Sequence, residues 1–578
     1  MNTQQYDLKV GGAAGQGLNV VGGILSKALA RSGLCLFGHQ DYYSRVRGGH
    51  NFYHVRASSQ PVFSYRDEID ILVALDQASA DIHAKELGDS GVMLYDSATV
   101  KPTTQSSRFL PISLAALAEQ HGGRKLMSNT VAAGLVWRLL SGDAQILNSA
   151  ISSLFSSKGR DVVEANVRAA KAGADAVESQ FSAYCRPSIA QDDAPRRMVL
   201  TGNEALALGA MAAGCQFASA YPMTPASSVV EYMSIHAAKM SLVFEQAEDE
   251  IAAINMAIGA SHLGLRSMVA TSGGGFALMV EGLSLAGCTE TPLVIVMGQR
   301  PGPSTGMATR TEQGELLFCL WAGHGEFPRA ILTPGTAEEA FWAMIKAHNL
   351  ADKYQIPVFV MTDQHLADTY FTMQQPDPGN VIIDRGVLAS RADLDSEEQY
   401  MRYRFTPSGV SPRAFPGQSK QIVASTGNEH DQYGMSSEDK TNRRLMVEKR
   451  LSKTKGVASE ICQPKVYGYE SADIVLLTWG SSYGACREAV AEINESGDRA
   501  KLVHLPEVWP FPGDAVIEAV GTAKRLVTVE MNATGQIGRL LRMETGIRPD
   551  LAVLKYDGRP MNAKYVIEQI ANGGQNPW

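Results

Sequence analysis

The chain runs to 578 residues, 45% apolar and 19% charged, with a formal net charge of −8; that size exceeds what one hydrophobic core serves, and the composition excludes disordered and fibrous classes. The acidic balance, without any long Lys/Arg block, excludes a polyanion-binding field, so no nucleic acid partner is expected. No stretch approaches twenty uninterrupted apolar residues and the first twenty carry no signal-peptide core, so no membrane association is expected and the chain reads as cytoplasmic.

In chain order, "DLKVGGAAGQGLNVVGGILSKALA" at 7–30 sets a glycine turn between a short apolar run and a helix-periodic one. A dinucleotide fingerprint needs Gly-x-Gly-x-x-Gly and an acid about twenty residues on. Here the order is Gly12-x-x-Gly15-x-Gly17 and the nearest acid, Asp41, is followed by two tyrosines, so NAD is poorly supported. Close backbone packing is the ordinary reading of these glycines, and an anion at the following helix N-terminus stays open. "HQDYYSRVRGGHNFYHVRAS" at 39–58 gathers Arg45, Arg47, Arg56, His50 and His54 around a glycine pair. This suits either a phosphate-rich ligand or a solvated hairpin.

Strand-like runs then alternate with helix-like segments: "ILVALD" at 71–76, "RSMVATS" at 266–272, "PLVIVMG" at 292–298, "PVFVMTD" at 357–363, "DIVLLTWG" at 473–480 and "RLVTVE" at 525–530. The rhythm predicts α/β domains with mainly parallel sheets. Between them, "RPSIAQDDAPRR" at 186–197 marks a linker, and residues 388–467 read as a polar, irregular connecting segment. The cysteines, Cys35, Cys185, Cys215, Cys288, Cys319, Cys462 and Cys486, include no C-x-x-C pair, so neither a disulfide frame nor a self-contained metal or cluster site is expected.

"SAYPMTPASSVVE" at 219–231 predicts a proline-stiffened turn from a strand into a helix beginning near Ser227, with the Thr224 hydroxyl at the strand's carboxyl edge, where open α/β sheets bind ligands. "FEQAEDEIAAINMAIGAS" at 244–261 feeds an acidic turn, Glu248, Asp249 and Glu250, into an Ala/Gly-rich helix. Acids there ordinarily match the helix dipole and need no further role.

The order "YPMTP", an acid nine residues before Gly259, "ATSGGGFALM" at 270–279 and "GQRPGPSTGMATRTEQGEL" at 298–316 resembles the alpha subunits of 2-oxoacid:ferredoxin oxidoreductases. The likeness covers nearly the whole chain. "GGAAGQG" and "SRVRGGHNFYHVR" are similar to the family's gamma domain, "YRFTPSGVSPRAFPG" and "STGNEHDQYG" to the alpha-subunit middle, and "LPEVWPFPGDAV" and "VEMNATGQIGRLL" to its transketolase-like end. The gamma-then-alpha fusion looks most like the 2-oxoglutarate type.

This resemblance implies a gamma-type α/β lid domain at 1–186, a linker at 187–197, a pyrimidine-binding thiamine diphosphate domain at 198–387, the connecting segment, and a transketolase C-terminal-like domain at 468–578. The implied reaction is reversible, CoA-dependent oxidative decarboxylation of a 2-oxoacid with electrons to ferredoxin. It assigns Glu250 to the thiamine pyrimidine, with Tyr221, Pro222 and Ser272 also at the cofactor, and Thr224, Arg310, Arg300, Ser304 and Thr305 at the substrate. Gly15, Gly17, Arg45 and Arg47 would meet CoA. No metal ligand is assigned, and no Gly-Asp-Gly motif occurs. Mg²⁺ with the cofactor diphosphate, and a [4Fe-4S] cluster, are therefore expected on a separate beta subunit within an (alpha-beta)₂ assembly. Pyruvate, branched-chain 2-oxoacids or indolepyruvate are alternative substrates, and a non-catalytic scaffold is a second alternative.

Overall fold

The computed structural model describes residues 4–43, 48–189 and 197–577, which form two compact units: Met1–Leu200 with Asp368–Pro376, and Thr201–Ala367 with Asp377–Trp578. None of the described helices is long and apolar enough to cross a membrane.

The first unit is built on an eight-stranded mixed sheet. Its strands run in the order 109–112, 87–96, 69–74, 5–14, 48–58, 35–41, 370–374, 197–201. Strand Gln5–Ala14 lies parallel to Ile69–Ala74 on one side and antiparallel to Gly48–Ser58 on the other. Gly15 and Gly17 take positive φ (89° and 75°) between that strand and helix Leu18–Arg31, a backbone conformation that side chains bearing a Cβ resist. Helices Ser128–Leu139 and Arg160–Gln180 cross at glycine: a Cβ on Gly134 would lie 2.0 Å from the Ala170 carbonyl oxygen, and one on Gly173 would lie 2.2 Å from that of Val131.

In the second unit, a seven-stranded sheet runs 507–509, 330–332, 357–363, 293–299, 267–272, 217–220, 243–246, and a five-stranded sheet runs 465–468, 500–505, 474–479, 525–530, 551–554. Apart from the antiparallel strands Glu507–Trp509 and Lys465–Gly468, the pairings in both are parallel. One apolar cluster serves both sheets, joining Ile295, Phe359 and Phe276 to Leu477, Val503 and Leu505. Parallel strands covered on both faces explain the unbroken apolar runs.

Two segments depart from the expected boundaries. Asp368–Pro376, placed within the 198–387 domain, belongs to the first unit, where strand Tyr370–Gln374 pairs antiparallel with Cys35–Asp41. The connecting segment expected to be irregular contains a 21-residue helix, Lys440–Glu460, capped by Asp439. Between the buried Met446 and Val457, its inward face is cationic: Lys449 and Lys453 both pair with the buried carboxylate of Glu290, and Arg450 with Glu429. Hydrophobic periodicity, the main helix signal in a sequence, is absent from such a face.

Candidate active site

The site is assembled at the carboxyl ends of the parallel strands Phe217–Ala220, Ser267–Ser272 and Leu293–Gln299 in the second unit. Chain leaves the first of these through Tyr221–Ala226 and enters helix Ser227–Met240. The Thr224-Pro225 peptide is cis, as is Gly302-Pro303 in the loop after the third strand. Asn203 Nδ2 donates to the Pro225 carbonyl at 2.7 Å and to Ser228 Oγ at 2.7 Å, fixing this turn from behind. Arg300, buried at the end of the third strand, donates from Nη1 to the Thr224 carbonyl at 2.7 Å. That bond joins the two proline loops.

Asp249 caps helix Glu250–His262 by accepting from the Ala252 amide at 2.7 Å. Capping turns the next side chain inward. Glu250 is 4% exposed, while Glu248 and Asp249 face solvent. Glu250 Oε1 is shielded from water and has no hydrogen-bond partner, an expensive state for a carboxyl oxygen unless a ligand completes it. Its neighbour is the first turn of helix Gly273–Cys288, where a Cβ on Gly275 would lie 2.6 Å from Glu250 Oε1. Ser272, the fully buried N-cap of the same helix, also leaves its Oγ without a partner. Two unsatisfied buried oxygens thus flank one glycine-rich helix start.

A third carboxyl approaches this turn. Glu315 Oε1 lies where a Cβ on Gly273 would meet it at 2.6 Å, and its Oε2 is shielded and unpartnered. Burial first, then the nearby Glu312 carboxylate, push the Glu315 carboxyl up to about 8, against the opposing field of Arg300. It therefore holds its proton at neutral pH. The Glu315 amide is anchored by donating to Gln299 Oε1 at 3.2 Å. Further along, Asp363 accepts from Thr311 Oγ1 at 3.1 Å and Ser481 Oγ at 2.5 Å; burial raises its carboxyl and these bonds oppose the rise. Gln313 Oε1 accepts from Ser482 Oγ and the Met531 amide. The 298–316 loop is thereby pinned to the five-stranded sheet domain.

Over residues 208–449 the chain matches the family model for the thiamine-diphosphate-binding part of pyruvate flavodoxin/ferredoxin oxidoreductases. Residues 7–176 match the pyruvate ferredoxin/flavodoxin oxidoreductase model and 472–564 the pyruvate:ferredoxin oxidoreductase core domain II. A 2-oxoacid:ferredoxin oxidoreductase subunit alpha from Sulfolobus sp is 34% identical, covering 95% of this chain and 94% of that one. The chain is a 2-oxoacid:ferredoxin oxidoreductase alpha subunit. Subunit KorA of the 2-oxoglutarate synthase of Methanothermobacter thermautotrophicus is 33% identical over 64% of this alpha subunit and 97% of its own length. A solved 2-oxoglutarate:ferredoxin oxidoreductase from Magnetococcus marinus, with 2-oxoglutarate, coenzyme A and succinyl-CoA bound, superposes with a TM-score of 0.90 at 30% identity over 99% of both chains.

Within the alpha subunit, Thr224 and Arg300 are directly joined, and Glu250 and Ser272 share one helix start. Tyr221, Pro222, Ser304 and Thr305 are exposed on the two loops. Ser304, at φ 58°, brings its carbonyl oxygen to 3.9 Å from a Cβ built on Gly274. Arg310 is buried, with its Cβ 3.2 Å from the position a Cβ on Gly558 would take. Gly15 and Gly17 lie in the first unit, and Arg45 and Arg47 fall outside the described residues. Glu315, Gln299 and Asp363 escaped sequence reasoning. Glu315 stood inside the motif used for recognition, but nothing in its spacing announced a shielded carboxyl.

Proposed function

We propose that this alpha subunit, with a beta subunit, converts 2-oxoglutarate and CoA to succinyl-CoA and CO₂, releasing one proton and two electrons to ferredoxin. Glu250 carries the reading: a buried carboxyl oxygen with no protein partner fits the pyrimidine nitrogen of thiamine diphosphate, and Ser272 fits as a second polar contact. Bound there, thiamine diphosphate supplies the electron sink for decarboxylation. Glu250 would hydrogen-bond the ring nitrogen, and Tyr221 and Pro222 would border the ring from the first loop.

Arg300 and Thr224 orient the 2-oxo carboxylate, with the Ser304-Thr305 turn shaping the same space. Arg310 serves the distal carboxylate, which is what favours a dicarboxylic substrate over pyruvate or an aromatic 2-oxoacid. The 2-oxoglutarate-type relatives support this choice. CoA is the cosubstrate, met by Gly15, Gly17, Arg45 and Arg47. Mg²⁺ and the [4Fe-4S] cluster sit on the beta subunit of an (alpha-beta)₂ complex working in the cytoplasm.

The test is the co-expressed pair, assayed for viologen or ferredoxin reduction with CoA across a panel of 2-oxoacids. Preference for 2-oxoglutarate is expected, with loss in Glu250→Gln while assembly persists. Unchanged reduction by that variant would favour a scaffold role and end the assignment of Glu250.

A further inference from the structure

Within the second unit, Arg300 and Glu315 are neighbours that do not pair. Among the described residues no carboxylate forms an ion pair with the buried Arg300 guanidinium; its bond is the one to the Thr224 carbonyl, and the acid whose field reaches it is Glu315. Glu315 faces elsewhere. Its Oε1 lies 2.6 Å from where a Cβ on Gly273 would stand, so only glycine leaves it room, and its Oε2 is shielded with no hydrogen-bond partner. The backbone fixes both positions, because the Glu315 amide donates to the side chain of Gln299, the residue that precedes Arg300.

This placement decides the charge on each group. A carboxylate with one oxygen shielded and undonated is far costlier inside a protein than the neutral acid. Glu312 on the same loop and Asp363 at the end of strand Pro357–Asp363 favour the proton on Glu315, while Arg300 opposes it. Cys319, one turn along helix Leu316–Trp321, also feels Glu315, but burial keeps its thiol protonated. Arg300 is anchored by a carbonyl, which orients a guanidinium without neutralising it.

We propose that Glu315 governs the availability of Arg300: as a neutral acid it leaves the guanidinium's charge for the 2-oxo carboxylate, and as a carboxylate it competes for that charge. The inference rests on Arg300 being the contact of the substrate carboxylate, and holds for whichever 2-oxoacid is used. A permanent anion at this place would make Arg300 half of an internal ion pair, and an apolar side chain would leave its charge unregulated. In the switching step the Glu315 O–H bond breaks, the proton passes to solvent and the electron pair stays on the carboxylate, so nothing is oxidised. Glu315 is thus a positioning residue that acts through Arg300.

The experiment measures KM and kcat of the assembled alpha–beta complex for its preferred 2-oxoacid, with saturating CoA and viologen, between about pH 6.5 and 9.5. Wild-type KM should rise about tenfold from pH 7 to pH 9 as Glu315 loses its proton near 8. The kcat should stay nearly level, since a filled site already holds Arg300 on the substrate. In Glu315→Gln the ratio of the two KM values should fall to about one, whatever their level. If that variant fails to assemble, Glu312→Gln should start the rise at lower pH, because the Glu312 carboxylate helps hold the proton. A flat wild-type KM, a rise that survives Glu315→Gln or is unmoved in Glu312→Gln, or a change confined to kcat would overturn the proposal. A complex that oxidises no 2-oxoacid at any pH would instead overturn the functional reading beneath it.

Discussion

Gly275 is the space into which Glu250 folds: a Cβ at position 275 would stand 2.6 Å from Glu250 Oε1 and 2.3 Å from Thr271 Oγ1. Gly275→Ala should therefore displace the carboxyl or shift the helix start, costing about 1–3 kcal/mol of stability. The larger effect should be on the cofactor. Thiamine diphosphate titrated into the purified complex should bind at least about tenfold more weakly to the variant; equal affinity would separate Glu250 from the pyrimidine.

Glu315 links the site to pH. Its carboxyl ionises at about 8 in the fold against an ordinary 4.5, so the native state keeps a proton that the unfolded chain releases. Stability from this group is full below 4.5, falls as pH climbs, and levels off above about 8. The melting temperature of wild type relative to Glu315→Gln should decline across that window. A flat difference would show an ionised Glu315 at neutral pH.

Much of this architecture was legible from the chain, and the reasons are local. The parallel strands show as unbroken runs because both faces are buried, and Asp249 and the glycines announce a helix start. Glu290, Lys449 and Lys453 were opaque, since a buried charge cluster and a solvated charged face have the same one-dimensional appearance. The partners lie about 160 residues apart, a distance across which no periodicity carries. Glu250 was selected by family spacing; its shielding, and that of Glu315, needed coordinates.

Arg300→Lys keeps the charge but loses the planar fork that reaches the Thr224 carbonyl and leaves further donors for a carboxylate. KM for the 2-oxoacid should rise about 10- to 100-fold, matching the loss of one charge-assisted bond. An unchanged KM would assign Arg300 to holding the loops alone.

At Glu290, replacement by Gln would leave Lys449 and Lys453 facing each other in the interior, where burial lowers the pKa of both ammonium groups and that carboxylate offsets the fall only in part. Loss of about 3–5 kcal/mol is expected, as for other broken buried pairs. Chemical denaturation should show it, with Lys453→Met in the same background recovering part of the loss. No recovery would mean the second lysine is not the source of the cost.

The returning strand Tyr370–Gln374 carries a topological consequence. The backbone passes between the two units three times, after residues 200, 367 and 376, so the linker at 187–197 is not a seam along which the protein divides. A fragment stopping at 186 would strip the sheet beside Cys35–Asp41 and expose that strand's row of amides and carbonyls as an open edge, an invitation to self-association. Autonomy of the first unit requires a piece of chain, Asp368–Pro376, encoded beyond the whole of Thr201–Ala367.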